Sequence, residues 1–227
     1  MAGLRKAQTL RPELDKKVGL AIGIFCAGTP ATQGTIDLLK NNNINLEEVE
    51  EIRYRGKGWP GMFSVRLKRE ERAREIMTYM DSWGFVQKYR TYRCYLCPDG
   101  TSEFADISCG DPWYRQVSEG GQGHSLVLVR TELGSEILHG AMKAGYVILE
   151  RAAPKILELS QKNLLSKRGA IWGRLLAMKA FRIPTPQLEG FSLLRNWLSL
   201  SLKEKARSIL GTARRVIQRK YFKPVSW

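Results

Sequence analysis

The sequence predicts an α/β protein: a mainly parallel sheet with flanking helices over residues 1–150, followed by a basic, mostly helical region over 151–227. Three observations carry this. Residues 18–25 (VGLAIGIF) form a continuous apolar run rich in branched residues and glycine, the pattern of a strand buried on both faces. Strand-like and helix-like segments then alternate, as in a sheet built from crossover units. The charge is also split. Residues 151–227 carry 17 Lys and Arg against 3 Asp and Glu, so nearly all of the net +15 lies there and the first 150 residues are close to neutral.

Each element has a local reason. After the first strand comes Cys26, and Thr29-Pro30 then offers an N-cap and a proline for the first helical position. The helix runs through Ile36, Leu38 and Leu39 and stops at the asparagines 41–43. This places Cys26 beside a helix N-terminus, where the dipole favours thiolate over thiol. Residues 49–54 and 62–67 read as strands. Between them lies Arg55-Gly56-Lys57-Gly58-Trp59-Pro60-Gly61, whose glycines let backbone approach a ligand and whose two cations suit phosphate. Residues 70–80 read as a helix, and a Cys-x-x-Cys loop follows. Residues 125–129 form an apolar strand. Thr131 caps a helix with Leu133, Ile137, Leu138, Ala141 and Met142 on one face, and Gly145 ends it. Residues 147–149 close the sheet. Residues 155–181 read as one long helix weakened at Gly169 and Gly173, and the prolines at 184 and 186 break it. Residues 191–221 read as a second helix, with Leu194, Trp197, Leu198, Ile209, Ala213, Val216 and Ile217 as its apolar set.

Composition narrows the functional classes. No apolar run reaches the length of about 18 residues needed to span a bilayer, and the N-terminus shows no secretory h-region. Four cysteines in 227 residues are not a disulfide framework, so a reducing cytoplasm is the expected setting. The chemistry concentrates in Arg93-Cys94-Tyr95-Leu96-Cys97-Pro98-Asp99 and in Phe104-Ala105-Asp106-Ile107-Ser108-Cys109-Gly110-Asp111. Cys-x-x-Cys can point two thiolates at one soft metal centre, and a proline directly after a ligand cysteine is common in iron–sulfur proteins. Cys26 is either a further thiolate or a small buried hydrophobe. Cys109 is either a ligand or a strand residue. Asp106 and Asp111 either orient a cofactor or serve as a strand-end cap and a turn residue. His139 is structural within its helix, and His124 is a ligand candidate on a loop. No Ser/His/Asp order, Walker loop or zinc-protease pattern is present. The basic region, with Lys203, Lys205, Arg207, Arg214, Arg215, Arg219, Lys220, Lys223, Trp197 and Trp227, either lies on a membrane surface or docks its apolar stripe on the protein's own core. Docking is the favoured reading, and nucleic acid is not an expected partner.

Taken together, Phe25-Cys26-Ala27-Gly28-Thr29-Pro30, Tyr54 through Gly61, Arg93 through Asp99, and Ala105 through Trp113 resemble the coenzyme F420 hydrogenase/dehydrogenase beta-subunit family, in the right order and over roughly residues 1–190. The resemblance implies electron transfer between a [4Fe-4S] cluster, FAD and an organic acceptor such as coenzyme F420 or a pigment precursor. It implies Cys94 and Cys97 as paired cluster ligands and Cys26 as a further one, with Cys109 a substitute ligand or a bystander. It places flavin contacts along Arg55, Gly56, Lys57, Gly58 and Gly61, with Asp106, Asp111, Ser125 and Arg130 beside them. It implies a partner subunit or ferredoxin. Family members carry a further N-terminal segment ending in a Gly-Thr-Pro-Cys-Gln-like turn, and Met1 falls just after its place. That segment, on another chain, is the expected source of a fourth ligand. Two readings compete. One is a non-catalytic zinc module closed by Cys26, Cys94, Cys97 and Cys109, and the other is an inactive fragment of a split redox gene.

Overall fold

Short connections decide the sheet topology of this chain. The computed structural model describes residues 1–115, 117 and 121–222. Lys223 and Trp227 lie outside the described residues. The strands are β1 (Ile22–Ile24), β2 (Val49–Arg53), β3 (Met62–Leu67), β4 (Arg74–Thr78), β5 (Ile107–Gly110) and β6 (Leu126–Val129). The helices are α1 (Ala2–Leu10), α2 (Thr32–Asn41), α3 (Tyr79–Val86), α4 (Tyr92–Leu96), α5 (Glu132–Lys143), α6 (Lys155–Ala180), α7 (Leu193–Leu198) and α8 (Leu202–Gln218). The class is mixed α/β, but the mainly parallel sheet is a correction. Two three-stranded sheets form, in orders β1-β5-β6 and β2-β3-β4. Only β1 and β5 run parallel, with Ile24 opposite Cys109. The other strand pairs are antiparallel. The cause is the segment 70–80, expected to be a helix. Arg74–Thr78 instead returns as a strand on β3, with Phe63 opposite Met77, and α3 begins only at Tyr79. Without a helical crossover, neighbouring strands join as antiparallel ribbons.

The β2-β3-β4 sheet holds the main core. Phe63 and Val65 are fully buried against Leu38 and Leu39 of α2, Ile44, and Val86 of α3. The expected long buried strand 18–25 shrinks to β1, an edge strand. Ala21 and Gly23 face inward, while Ile22 and Ile24 are 59% and 72% exposed. Two further expectations change. The α2 helix starts at Thr32 after Ala31, because Pro30 pairs with Arg90 and the Ala31 amide donates to the Tyr89 carbonyl at 3.0 Å. Cys26 therefore lies well before the helix, and the dipole argument does not apply to it. Residues 147–149 form no strand. Thr131 does cap α5, its hydroxyl accepting from the Gly134 amide at 3.1 Å.

The basic region docks on the body. α6 loses helical geometry at Gln161 (φ −127°, ψ 29°), whose side chain donates to the Asp111 carbonyl at 2.7 Å. Gly169 and Gly173 do not weaken α6. They are the places where α7, α8 and the turn between them come close. A Cβ on Gly169 would lie 2.8 Å from Leu200, and one on Gly173 would lie 2.6 Å from the Trp197 indole nitrogen and run into Ser208. The single helix expected over 191–221 is two helices, because Ser201 starts a new one with a capping box. Its hydroxyl accepts from the Glu204 amide, and its amide donates to the Glu204 carboxylate at 3.1 Å. Val216 is fully buried with Leu96, Met178 and Ile183. Leu194, Leu198 and Ile217 are roughly half exposed, since the turn at 199–201 divides the expected stripe between two axes. Among the described residues no helix is long and apolar enough to cross a membrane. Gly173→Leu is expected to destabilise the chain by about 1–3 kcal/mol by overfilling this contact. A urea midpoint equal to that of the parent would disprove the close packing.

Candidate metal and cofactor site

The strand β1 delivers Cys26. The Phe25 amide donates to the Cys109 carbonyl at 2.7 Å, and the Cys26 amide donates to the Gly100 carbonyl at 2.8 Å. The chain then turns through Gly28 (φ 128°), where a Cβ would crowd Arg90 at 2.6 Å and lie 3.3 Å from the Cys94 Cβ. That close approach needs glycine. Cys94 sits in α4 and Cys97 is its C-cap. The Cys94 sulfur accepts from the Thr29 amide at 3.2 Å and lies 3.4 Å from the Thr91 hydroxyl. Burial works against a Cys94 thiolate. The Thr91 and Thr29 hydrogen bonds, with Lys167 and Arg90 nearby, outweigh it and hold the pKa below the usual thiol value.

Lys167 of α6 lies within electrostatic range of all three of these thiols. Burial pushes its pKa down, opposed by Cys97, Cys26 and Cys94, and the neighbouring Arg174 adds to the lowering. Cys109 is not among these thiols. It stands in β5 opposite Val127, and burial alone raises its pKa. All four cysteines are free. Among the described residues no three or more His, Cys, Asp or Glu form a metal-holding group. The fit to a soft metal centre therefore lies in the donor chemistry: three thiols, one favoured as thiolate, and a cation to offset their charge. Lys167→Met is expected to raise the pH at which Cys94 becomes alkylated by iodoacetamide, because a cation that lowers its pKa is removed. Peptide mass spectrometry reads Cys94 separately, and an unchanged pH profile would mean that Lys167 does not act on it.

The Arg55–Gly61 loop closes on itself. Gly56, Lys57, Gly58 and Gly61 all take positive φ (114°, 55°, 115° and 81°), and a Cβ on Gly61 would fall on the Gly56 carbonyl. Arg55 is not left open for a phosphate. It grips Asp111 with both Nη atoms, at 2.8 and 2.9 Å, and the Trp59 indole donates to the same carboxylate at 3.2 Å. Arg55 also lies over Tyr79 and Trp113, at 5.1 and 5.5 Å, while Trp113 packs against Trp59 at 4.9 Å. Lys57 is exposed. Burial disfavours the Asp111 carboxylate, but the Arg55 and Trp59 hydrogen bonds outweigh it, and its pKa lies below the ordinary aspartate value. A depressed carboxylate stabilises the fold fully above the unfolded-chain pKa of about 3.9, and the gain is lost as pH falls through the folded value. Asp111→Asn is thus expected to lower stability at pH 7. The deficit should shrink as both proteins are acidified, and urea titrations at pH 7 and pH 3 check this.

Of the remaining expected residues, Asp106, Arg130 and His139 have partners within the fold. Asp106 accepts from the Ala21 amide at 2.8 Å and the Thr131 hydroxyl at 2.7 Å, tying β1 to the α5 cap. Arg130 donates to the Thr101 carbonyl at 3.0 Å and the Ser108 hydroxyl at 3.3 Å. Ser125 and His124 are exposed before β6, and His139 Nδ1 lies 2.7 Å from the Ser135 carbonyl within α5. The sequence reading missed Lys167 and Arg174. Arg174 donates to the Tyr95 carbonyl at 2.7 Å, and burial with Arg215 and Arg90 nearby pushes its pKa down to about 10. Their spacing of seven, which puts both on one helical face, was the available signal.

Residues 1–155 match the family model that describes the carboxy-terminal part of the coenzyme F420 hydrogenase/dehydrogenase beta subunit. The chain is also 29% identical over 198 residues to a protein of Methanothermobacter thermautotrophicus named "Coenzyme F420 hydrogenase subunit beta". That alignment covers 81% of this chain and 62% of the relative, so the chain spans less than two thirds of the relative's length. Because the matched span takes in all four cysteines and the whole Arg55–Asp111 assembly, the chain belongs to the coenzyme F420 hydrogenase/dehydrogenase beta-subunit family.

Proposed function

We propose that this chain is an iron–sulfur flavoprotein module of an oxidoreductase, working in the cytoplasm with a partner subunit and passing electrons to an organic acceptor such as coenzyme F420. The observation that carries the reading is the close approach of the turn after Cys26 to the Cys-x-x-Cys helix, where the Thr29 amide donates to the Cys94 sulfur at 3.2 Å and a Cβ on Gly28 would lie 3.3 Å from the Cys94 Cβ. The thiols of Cys26, Cys94 and Cys97 would hold a [4Fe-4S] cluster, with a fourth ligand from elsewhere, and the Arg55–Gly61 loop and Arg130 would border FAD. When bound, the cluster carries single electrons and the flavin converts between one-electron and two-electron steps. The chain's own part is to place and tune. The Thr29 amide and Thr91 hydroxyl orient Cys94, and Lys167 offsets thiolate charge without adding a competing ligand. Asp111 fixes the glycine loop through Arg55 and Trp59, so backbone amides are preset rather than ordered on binding. The relative is named as a subunit, which supports a partner chain here.

Anaerobic reconstitution with iron and sulfide, then with FAD, tests the reading. The expected product is brown, with iron and sulfide in equal amounts and flavin retained through gel filtration. A colourless protein holding one zinc would instead support the interaction-module reading, and a chain that binds none of the three would be inert by itself.

A further inference from the structure

Helix α8 spends only one side on the body. Ser208, Thr212 and Val216, spaced by four, form its buried line. Beside that line runs a second one that the described residues leave uncovered. Leu202, Leu210 and Ile217 recur at intervals of eight and seven residues, so they share one side of the helix, and they are 83%, 68% and 56% exposed. Ala206 and Ala213 lie between them on the same side. Exposed leucines scattered singly need no explanation, but three large aliphatic side chains in line along one helix do. Next round the helix come Lys203, Arg207 and Arg214, each one position after a member of the apolar line and each exposed. Among the described residues the ion pairs include none of these three cations. Glu204, the only acidic residue of α8, is taken up by the Ser201 capping box. The order around the axis is a buried line, an exposed apolar line and a row of uncompensated cations.

We propose that this side of α8 seats the protein on an anionic lipid surface, with Leu202, Leu210 and Ile217 at the acyl boundary and Lys203, Arg207 and Arg214 among the headgroups. An interfacial helix needs this arrangement. Its aliphatic side chains gain by leaving water, and the long basic side chains beside them keep their charged ends at the lipid phosphates. Charge complementarity selects this occupant. The cytoplasmic leaflet of a membrane carries anionic lipids. A second copy of the chain would instead set one region of 17 Lys and Arg with 3 Asp and Glu against another, and the two would repel. Nucleic acid would use the cations but not the apolar line. Docking and membrane contact are compatible, since the helix docks through the Val216 line and leaves the Leu210 line for lipid. The inference stands independently of the redox reading.

The test sediments the full chain with vesicles of mixed phosphatidylglycerol and phosphatidylcholine, and with phosphatidylcholine alone, at low and high salt. Binding is expected to the anionic vesicles, weakening as salt rises, with little to the neutral ones. Lys203→Gln/Arg207→Gln/Arg214→Gln is expected to weaken it roughly a hundredfold, and Leu210→Ser/Ile217→Ser roughly tenfold or more. All five positions are exposed, so circular dichroism and the urea midpoint should match the parent. Lys16→Gln/Lys17→Gln/Lys40→Gln removes the same charge from exposed positions on the body and should leave binding nearly unchanged. Equal loss in that control would overturn the proposal in favour of diffuse attraction, and full vesicle binding by Leu210→Ser/Ile217→Ser would remove the apolar line from it. Binding of a duplex oligonucleotide more tightly than the anionic vesicles would reassign the cations to nucleic acid. A parent chain that sediments as a dimer, and as a monomer once Leu210 and Ile217 are replaced, would show that a second copy covers the line. Absence of sedimentation with the anionic vesicles at low salt would end the proposal outright.

Discussion

Cys94→Ser and Cys97→Ser are each expected to remove most of the iron and sulfide from the reconstituted chain while leaving the fold intact. A serine hydroxyl stays protonated where a thiolate would form, so it cannot replace the ligand. Neither side chain belongs to a buried cluster. Cys97 is exposed and Cys94 is half-buried, so the expected stability change is about 1 kcal/mol or less. Between them, Leu96 is 3% exposed and packs with Met178, Ile183 and Val216. Truncating Leu96 should unseat α4, which makes it the control for damage to the fold rather than to the ligands. Iron and sulfide assays, with circular dichroism on the same preparations, separate the two. Full metal content in both serine variants would remove the pair from the site.

The largest expected effect on stability comes from Phe63→Ala, at about 3–5 kcal/mol. Phe63 is fully buried in β3, between Leu38 and Leu39 of α2 and Val86 of α3, with the Tyr54 ring 5.0 Å away. Removing the ring leaves a cavity lined from two helices and a sheet, which cannot close without moving them. Urea unfolding measures the loss. A cost under 1 kcal/mol would mean that this sheet is not the main core.

Much of the N-terminal part was legible because its signals are local. The asparagines that stop α2, the Thr131 cap and the two strands around the glycine loop each depend on a few neighbouring residues. The segment Arg74–Thr78 was not legible. Its charges suit an exposed helix, and only pairing with β3 makes it a strand, a case of tertiary context overriding propensity. Gly169 and Gly173 look like helix weaknesses until the helices that fill the space above them are known. At the candidate site the cysteines stood out by type and spacing. Asp111 was noticed, but its grip on Arg55 joins residues 56 positions apart, which no local pattern shows. The same holds for Lys167, which reads as one basic residue among many until α6 is laid against α4.

That long reach gives the protein a history as well as a geometry. The bond from Arg174 to Tyr95 spans 79 residues, and Lys167 comes from the same late helix. At ribosomal rates of about 5–20 residues per second, the Cys-x-x-Cys segment exists for roughly 4–16 s before α6 is complete. During that interval Cys26, Cys94 and Cys97 stand near the ribosome without their ammonium, open to stray metal and oxidant. A chain released before residue 167 would keep every cysteine of the trio and lack the cation that α6 brings to them.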